Sequence, residues 1–293
     1  MNTHTLSNNI KRYSIIAKMK VVIMMLFSAM VGMLITPIQA QNSTNITYGL
    51  LGIGLHAIAS AAFNQIFEQQ IDQKMQRTQH RPLVQETLPK NTVTQVAITC
   101  SILGTGVLWY GTTSLATILT CLTTLSYSYI YTKILKPNTP QNIVIGGLSG
   151  AMPPLLGWTC IEPTLHVKPL ILVLIIFTWT PAHFWPLAIH NIEDYRLAGL
   201  PMLPVTHGVK FTTHAILSYG YLCAACTLLP YCIGMCSIHY LVIASIYNIK
   251  WLYLCHQLHQ TQQRPMKVFL FSIQYLYSIF GLILIDHFSQ TVL

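Results

Sequence analysis

Long runs of apolar residues, separated by short polar segments, extend along almost the whole chain. The runs approach the length of about 20 residues that an α-helix needs to cross a lipid bilayer. Glycine and proline interrupt several of them, and helices inside membranes tolerate both. The pattern predicts an all-α membrane protein with nine transmembrane helices, which are Val21–Thr36, Ile46–Phe67, Thr92–Tyr110, Thr112–Tyr131, Asn142–Ile161, Pro169–Ile189, Thr213–Pro230, Cys236–Leu254 and Val268–Ile285. Residues 1–20 are predicted to be a cytoplasmic N-terminal segment, and residues 21–293 a single transmembrane domain.

The composition excludes an ordinary soluble protein. Hydrophobic residues make up 53% of the 293 residues, whereas Asp, Glu, Lys and Arg together make up only 8%. Soluble chains carry about a quarter charged residues, which cover their surface in water. The eight cysteines lie in or beside apolar runs, where cysteine acts as a small hydrophobic residue. A secreted disulfide framework is therefore not expected.

The basic residues predict how the chain is oriented in the membrane. The net charge of +9 comes from bases scattered between apolar runs, which favours an anionic membrane face over nucleic acid. With a cytoplasmic N-terminus, the inner segments contain 14 of the 16 Lys and Arg residues, in agreement with the positive-inside rule. Cleavage of a secretion signal at Ala40 is the alternative, and it would remove the first helix and with it this agreement. Because no organelle import signal is evident, we expect a multi-pass protein of the bacterial plasma membrane.

Four of the seven acidic residues form two clusters, and the first follows the second predicted span. Asn64, Glu68 and Asp72 are spaced four residues apart, so they share one face of an α-helix. One amide and two carboxylates are hard ligands of the kind that Mg²⁺ prefers. Arg77 and Arg81 are also four apart and could bind phosphate oxygens in fork geometry. The alternative is a solvated helix end with Glu–Arg ion pairs.

The second acidic cluster, Glu193 and Asp194, follows the sixth predicted span. Four spans separate it from the first cluster, and because this number is even, both clusters are predicted to emerge at the cytoplasmic face. A carboxylate near membrane depth costs about 2.5–3.5 kcal/mol on insertion scales, so it normally has a partner or a function. Two acidic clusters with interleaved bases predict a two-sided clamp for a metal ion and a diphosphate. Gly146, Gly147 and Gly150 in the fifth span provide either close helix packing or room for a flat substrate.

Four stretches of the sequence are distinctive. They are Asp72-x2-Met75-x-Arg77-Thr78-x2-Arg81-Pro82-Leu83, Thr139-Pro140-x-Asn142 through Pro153-Pro154-Leu155-x-Gly157-Trp158, His183-Phe184-Trp185, and Asp194-Tyr195 through Pro201-Met202-Leu203-Pro204-Val205. With these stretches the chain resembles, over almost its whole length, the UbiA superfamily of intramembrane prenyltransferases. The Pro-Pro-Leu-x-Gly-Trp and Pro-Met-Leu-Pro segments look like the branch of the superfamily that acts on haem rather than on quinone precursors.

This resemblance implies a nine-helix bundle around a central cavity and the activity of a transferase. Farnesyl diphosphate, held with Mg²⁺, would donate its prenyl group to a vinyl group of haem B, which is a substrate here rather than a cofactor. By resemblance, Asp72 and Asp194 are the catalytic residues. The implied metal ligands are Asn64, Glu68, Asp72, Glu193 and Asp194, the implied diphosphate contacts are Arg77, Arg81, Lys133 and Lys136, and the implied haem cavity contains His183, Trp185 and Tyr131.

Three positions depart from the pattern of the superfamily. Glu68 stands where Asp is usual, His190 where Lys is common, and Pro137 where Arg is frequent. The residues leave two other functions open: prenylation of an aromatic quinone precursor, and a haem-binding transporter or cytochrome. The lipid bilayer, farnesyl diphosphate and haem B are the expected partners. Whether haem A synthase or a terminal oxidase under assembly is a further partner is left open.

Overall fold

The computed structural model describes residues 11–292, and these residues form helices and connecting turns without any β-strand. The helices are α1 (Met19–Leu34), α2 (Ser43–Asp72), α3 (Lys90–Gly111), α4 (Ser114–Leu125), α5 (Asn142–Ala151), α6 (Pro153–Ile161), α7 (Val167–His190), α8 (Ile192–Leu197), α9 (Leu203–Cys226), α10 (Leu229–Cys232), α11 (Ile238–Thr261) and α12 (Pro265–Val292). A π-helix, Ser126–Leu135, continues α4 and leads into a last helical turn, Lys136–Asn138. The prediction of an all-helical membrane protein is confirmed.

Seven helical segments of the described region are long and apolar enough to cross a membrane. The two remaining predicted spans differ from the others. The first is only 16 residues long as α1, and the fourth is divided between α4 and the π-helix. The chain is therefore a multi-pass membrane protein, and the number of nine transmembrane helices stays a prediction.

Local sequence signals explain where several helices begin and break. The side chains of Asn42 and Thr113 accept hydrogen bonds from the backbone N–H groups of Thr44 and Ala116, in the first turns of α2 and α4. These donors lack a partner inside the helix, so the caps satisfy them. The fifth predicted span breaks into α5 and α6 at Met152, because Pro153 has no N–H to continue the hydrogen-bond ladder. Gly208 has a φ of 80° and produces a kink inside α9.

Two glycines allow α1 and α6 to cross at close range. A Cβ atom on Gly32 would lie 1.9 Å from the carbonyl oxygen of Pro154, and one on Gly157 would lie 1.9 Å from that of Ala29. No other residue fits at either position, because the obstructing atoms belong to the backbone. Small residues permit such backbone contacts between helices in membranes. The crossing fixes α1 against the bundle.

The buried core consists mainly of two apolar clusters on either side of a cavity. The larger one packs α7, α9, α11 and α12 around buried aromatic rings that include Trp185, Trp251 and Phe280. The smaller one joins α1, α2 and α6 through residues such as Met33 and Leu156. The cavity between them is lined by side chains from both halves of the chain, and it leads to the end of the bundle where α2 and α7 terminate.

Candidate active site

The last two turns of α2 carry two carboxylates that are almost completely buried. The side chain of Glu68 is 3% exposed and that of Asp72 is 1% exposed. Arg81 forms an ion pair with Asp72 and lies 3.9 Å from Glu68, and Lys136 forms an ion pair with Glu68. The helical spacing therefore brings the two acids together as predicted. Paired cations offset the cost of burying these charges.

The segment before α1 adds a cation that the sequence analysis did not assign to the site. Lys18 Nζ donates a hydrogen bond of 2.6 Å to Asn64 Oδ1. Its backbone has a φ of 49°, a left-handed conformation that is uncommon for residues other than glycine. Burial, together with the nearby Arg81 cation, lowers the pKa of Lys18 to about 7. The sequence feature that could have assigned Lys18 to the site is its position just before the first predicted span, at the predicted cytoplasmic face.

The π-helix determines how the Asn64 amide is oriented. Thr132 Oγ1 donates its hydrogen bond to the carbonyl oxygen of Tyr127, at 2.9 Å and five residues back, and it accepts one of 3.2 Å from Asn64 Nδ2. A hydroxyl has one proton to donate, so the amide group must face Thr132 with its NH₂. Asn64 Oδ1 is consequently turned toward the carboxylates and the cations. No spacing rule for an α-helix predicts this contact, because π-helices bond residues five apart.

A loop over residues 73–89 links the first acidic cluster with the second. Thr78 Oγ1 donates to the carbonyl oxygen of Asp72, and Met75 and Leu83 are buried anchors of the loop. The backbone N–H of Arg77 donates to Asp194 Oδ2 at 3.2 Å. Asp72 and Asp194 therefore lie at the same end of the bundle, on either side of this loop.

The second cluster is much more open than the first. Glu193 and Asp194 lie in the first turn of the six-residue helix α8. The side chain of Glu193 is 68% exposed and forms an ion pair of 2.6 Å with Arg196, whose side chain is 56% exposed. Exposed ion pairs of this kind contribute little stability. Asp194 is the member of this cluster that faces the loop after α2.

A largely apolar cavity of about 370 Å³ extends from this end into the bundle. Lys18 stands in its wall together with aromatic side chains, of which Tyr127 and Tyr131 stack with their ring centroids 5.4 Å apart. Tyr131 packs directly over Gly146, whereas nothing lies within 4 Å of a Cβ atom placed on Gly150. Gly146 therefore serves close packing, whereas Gly150 borders open space in the cavity wall, and a role for it in accommodating a flat substrate stays a prediction. The volume is that of a small-molecule binding site.

The remaining predicted site residues lie in different environments. His183 and Tyr131 line the cavity. Trp185 is 1% exposed and packs edge-on against Tyr219, outside the cavity wall. Lys133 Nζ lies 4.7 Å from the ring centroid of Phe67, on the outer side of the π-helix. The structure does not bring Lys133 to the carboxylates, because the π-helix turns it away from Lys136.

The donors at this end of the bundle fit a divalent cation. Asp72 Oδ1 is buried and has no hydrogen-bond partner in residues 11–292, and an unsatisfied buried acceptor is costly. A bound Mg²⁺ would satisfy it, with Asn64 and Glu68 as neighbouring oxygen donors. Within the same residues, no three His, Cys, Asp or Glu side chains are already gathered as a metal site. An ion shared by the two clusters would therefore need substrate oxygens or water, as is usual for Mg²⁺.

Fold and site together define a multi-pass membrane protein whose apolar cavity ends at a buried cluster of acids and bases. The model of the UbiA prenyltransferase family matches residues 25–279, and the chain belongs to this family. The protoheme IX farnesyltransferase of Shewanella denitrificans is 45% identical over 279 residues, which cover 94% of this chain and 92% of the relative. The protoheme IX farnesyltransferase of Thioalkalivibrio sulfidiphilus is 42% identical, with 97% and 94% covered.

Solved structures confirm the fold. A digeranylgeranylglyceryl phosphate synthase superposes with a TM-score of 0.77 at 19% identity, covering 96% of this chain and 99% of that chain. A UbiA homologue from Archaeoglobus fulgidus, bound to DMAPP and Mg²⁺, superposes with a TM-score of 0.69 at 13% identity, with 93% and 99% covered. The central cavity with a charged end is thus built on a UbiA-type bundle.

Proposed function

We propose that this chain transfers the farnesyl group of farnesyl diphosphate to the 2-vinyl group of haem B, giving haem O and diphosphate after addition of water. The observation that carries the proposal is the junction of the apolar cavity with the buried cluster of acids and bases, at Lys18 and Asn64. A prenyl diphosphate has this same division between an apolar chain and a charged head. The protoheme IX farnesyltransferase relatives support haem B as the acceptor.

The charged end would hold the diphosphate and stabilise it as it leaves. Arg81, Lys136 and Lys18 are fixed beside the carboxylates by the contacts described above, so their charges need no reorientation during the reaction. Arg77 is the further candidate contact, from the loop beside Asp194. Mg²⁺, when bound through Asp72 and the other oxygen donors, would supply the positive charge that offsets the charge developing on the leaving group. The Mg²⁺-bound structure of the Archaeoglobus fulgidus homologue supports this expectation.

The cavity would protect the allylic carbocation that forms when the diphosphate departs. Apolar walls exclude bulk water, which would otherwise capture the cation. Tyr127 and Tyr131 lie just inside the charged end, and aromatic faces stabilise cations by about 0.5–2 kcal/mol each. The vinyl group of haem would then attack the farnesyl carbon, water would add to the resulting cation on the acceptor, and this water would lose a proton to solvent to leave the hydroxyl group. The distribution of Lys and Arg supports an active site at the cytoplasmic face of the bacterial membrane.

The reaction can be tested with the purified full-length chain in lipid nanodiscs. We expect haem B, farnesyl diphosphate and Mg²⁺ to give haem O, which chromatography separates from haem B. An aromatic quinone precursor, offered in place of haem B, should remain unprenylated. If the chain prenylated the quinone precursor and not haem B, the proposed acceptor would be wrong. Tightly bound stoichiometric haem without any prenyl transfer would favour a haem carrier instead.

A further inference from the structure

Two histidines line the cavity, and they differ in their hydrogen bonds. His56 uses both ring nitrogens: Nδ1 lies 3.0 Å from Thr124 Oγ1 and Nε2 lies 3.2 Å from Thr105 Oγ1. His183 Nδ1 lies 2.5 Å from Ser272 Oγ, whereas its Nε2 has no hydrogen-bond partner within residues 11–292. Of these two histidines, only His183 keeps a ring nitrogen for a ligand.

The partner of His183 determines which ring nitrogen carries the proton. Ser272 Oγ lies 2.5 Å from the backbone carbonyl oxygen of Phe269, which can only accept. A serine hydroxyl has a single proton, so Ser272 donates it to Phe269 and must accept from His183 Nδ1–H. In the neutral ring, Nε2 then carries a lone pair.

Aromatic rings cover both faces of the His183 imidazole. Trp179 stacks on one face with a centroid distance of 4.1 Å and an interplanar angle of 12°, and Phe269 stacks on it with a distance of 4.7 Å and an angle of 22°. Since the faces are covered and Nδ1 is bound to the fully buried Ser272, the edge that carries Nε2 is the part left to the cavity.

This environment suits metal ligation better than proton transfer. Accepting a proton would create a buried cation, and no carboxylate pairs with His183 in the described part of the chain. Burying an unpaired charge is costly. Donating a lone pair to iron leaves the ring neutral. Histidines that bind metals almost always donate their other ring N–H to a fixed acceptor, as His183 donates to Ser272.

We propose that His183 Nε2 is an axial ligand of the haem iron, and that Ser272 is a positioning residue that fixes the required tautomer. This inference rests on the proposed function, in which haem is the acceptor. The Nε2 lone pair forms a dative bond with the iron and replaces an axial water. His183 Nδ1 keeps its proton, and the iron does not change its oxidation state. The bond anchors the porphyrin in the half of the cavity that α7 and α12 line.

The test is a titration of the full-length protein in nanodiscs with haem B, without farnesyl diphosphate. We expect wild type to give the absorption and electron paramagnetic resonance signature of an imidazole ligand. His183→Phe keeps an aromatic ring in the stack and should lose this signature, and added imidazole should restore it. Ser272→Ala should weaken haem binding by about tenfold or more, whereas Ser272→Thr keeps a hydroxyl and should retain wild-type affinity.

Two further variants separate this role from general effects on folding. Ser278 lies on α12, as Ser272 does, but away from the cavity wall. The Ser278→Ala protein should therefore bind haem as wild type does. His56→Gln removes the other histidine of the cavity and should leave the signature of the iron ligand unchanged. If His183→Phe is poorly produced, the Ser272→Ala and Ser272→Thr pair still tests the hydrogen bond.

The inference is overturned if folded His183→Phe retains the imidazole signature without added imidazole. It is also overturned if Ser272→Ala binds haem with wild-type affinity and spectrum. Haem O production by wild type, measured in parallel, separates the assignment of His183 as an iron ligand from the proposed prenyl transfer. If haem O forms but the imidazole signature does not depend on His183, only the ligand assignment is contradicted. If no haem O forms, the proposed function is contradicted.

Discussion

The two acidic clusters lie at one end of the same bundle but differ in burial, in the length of the helix that carries them and in their ion pairs. Glu68 and Asp72 are buried on a 30-residue helix and are paired with Arg81 and Lys136. Glu193 is exposed on a helix of six residues, with only a neighbouring arginine as its partner. The carboxylates of the first cluster are buried, whereas the second cluster lies at the surface. There Asp194 accepts a hydrogen bond from the backbone N–H of Arg77, and the neighbouring Tyr195 is buried in the core.

This difference indicates that the two clusters have different roles in a site that must admit a charged substrate. A buried cluster held by ion pairs can provide ligands in fixed positions, which is what electrostatic stabilisation requires. An exposed cluster on a short helix can adjust its position when the substrate enters. We therefore expect substitutions in the first cluster to affect both stability and turnover, and substitution of Asp194 in the second cluster to affect turnover alone.

The largest expected effect is that of Asp72→Asn. The substitution preserves shape but removes the charge of the carboxylate that carries the unpartnered buried oxygen. We expect haem O formation to fall by about 10³-fold, because charge stabilisation of the leaving group depends on it. The rate is measured with saturating farnesyl diphosphate and haem B over a range of Mg²⁺ concentrations.

The exposed Glu86 in the loop after α2 provides the matched control for this measurement. Glu86→Gln also removes one carboxylate charge and should leave the rate within about twofold, since surface substitutions away from specific contacts have small effects. An Asp72→Asn enzyme with wild-type turnover and Mg²⁺ dependence would contradict the assignment of the first cluster to the active site.

Lys136→Met tests the stability of the buried pairs. The substitution leaves Glu68 without its direct partner, although Arg81 remains 3.9 Å away. We expect a loss of about 3 kcal/mol in the free energy of unfolding, because a buried charge without its partner is strongly destabilising. Denaturation in detergent micelles, followed by tryptophan fluorescence, measures it.

The double variant Lys136→Met with Glu68→Gln is the control for that loss. It removes both charges, so most of the lost stability should return, as is found when a buried pair is replaced rather than broken. If the double variant is less stable than Lys136→Met alone, the ion pair is not the source of the effect. A loss as large in Lys136→Arg, which retains the charge, would lead to the same conclusion.

Asp194→Asn and Glu193→Gln compare adjacent positions in the second cluster. We expect the first to lower kcat/KM for farnesyl diphosphate by about 10²-fold, because Asp194 is the residue that faces the loop and the first cluster. Glu193→Gln should stay within about threefold of wild type, since its side chain points to solvent and pairs only with Arg196. Equal losses at both positions would show that the second cluster acts through its total charge.

The sequence predicts the first cluster well and the surroundings of that cluster poorly, for a physical reason. Hydropathy and a spacing of four residues are sufficient to place Glu68 and Asp72 on one face, because α2 is a regular helix. The partners of the cluster depend on backbone features without a sequence signature. Lys18 reaches Asn64 from a left-handed residue, and Thr132 reaches it from a π-helix.

The smallest expected effect is that of Lys133→Ala. Lys133 and Lys136 are three residues apart, so a regular α-helix would place them on neighbouring parts of one face. The π-helix separates them: Lys136 is buried against Glu68, and Lys133 lies over Phe67 and Tyr129. We expect kcat and KM for farnesyl diphosphate to remain within about twofold of wild type, with at most about 1 kcal/mol lost from the cation–π contacts. A tenfold rise in KM would contradict the placement of Lys133 away from the diphosphate.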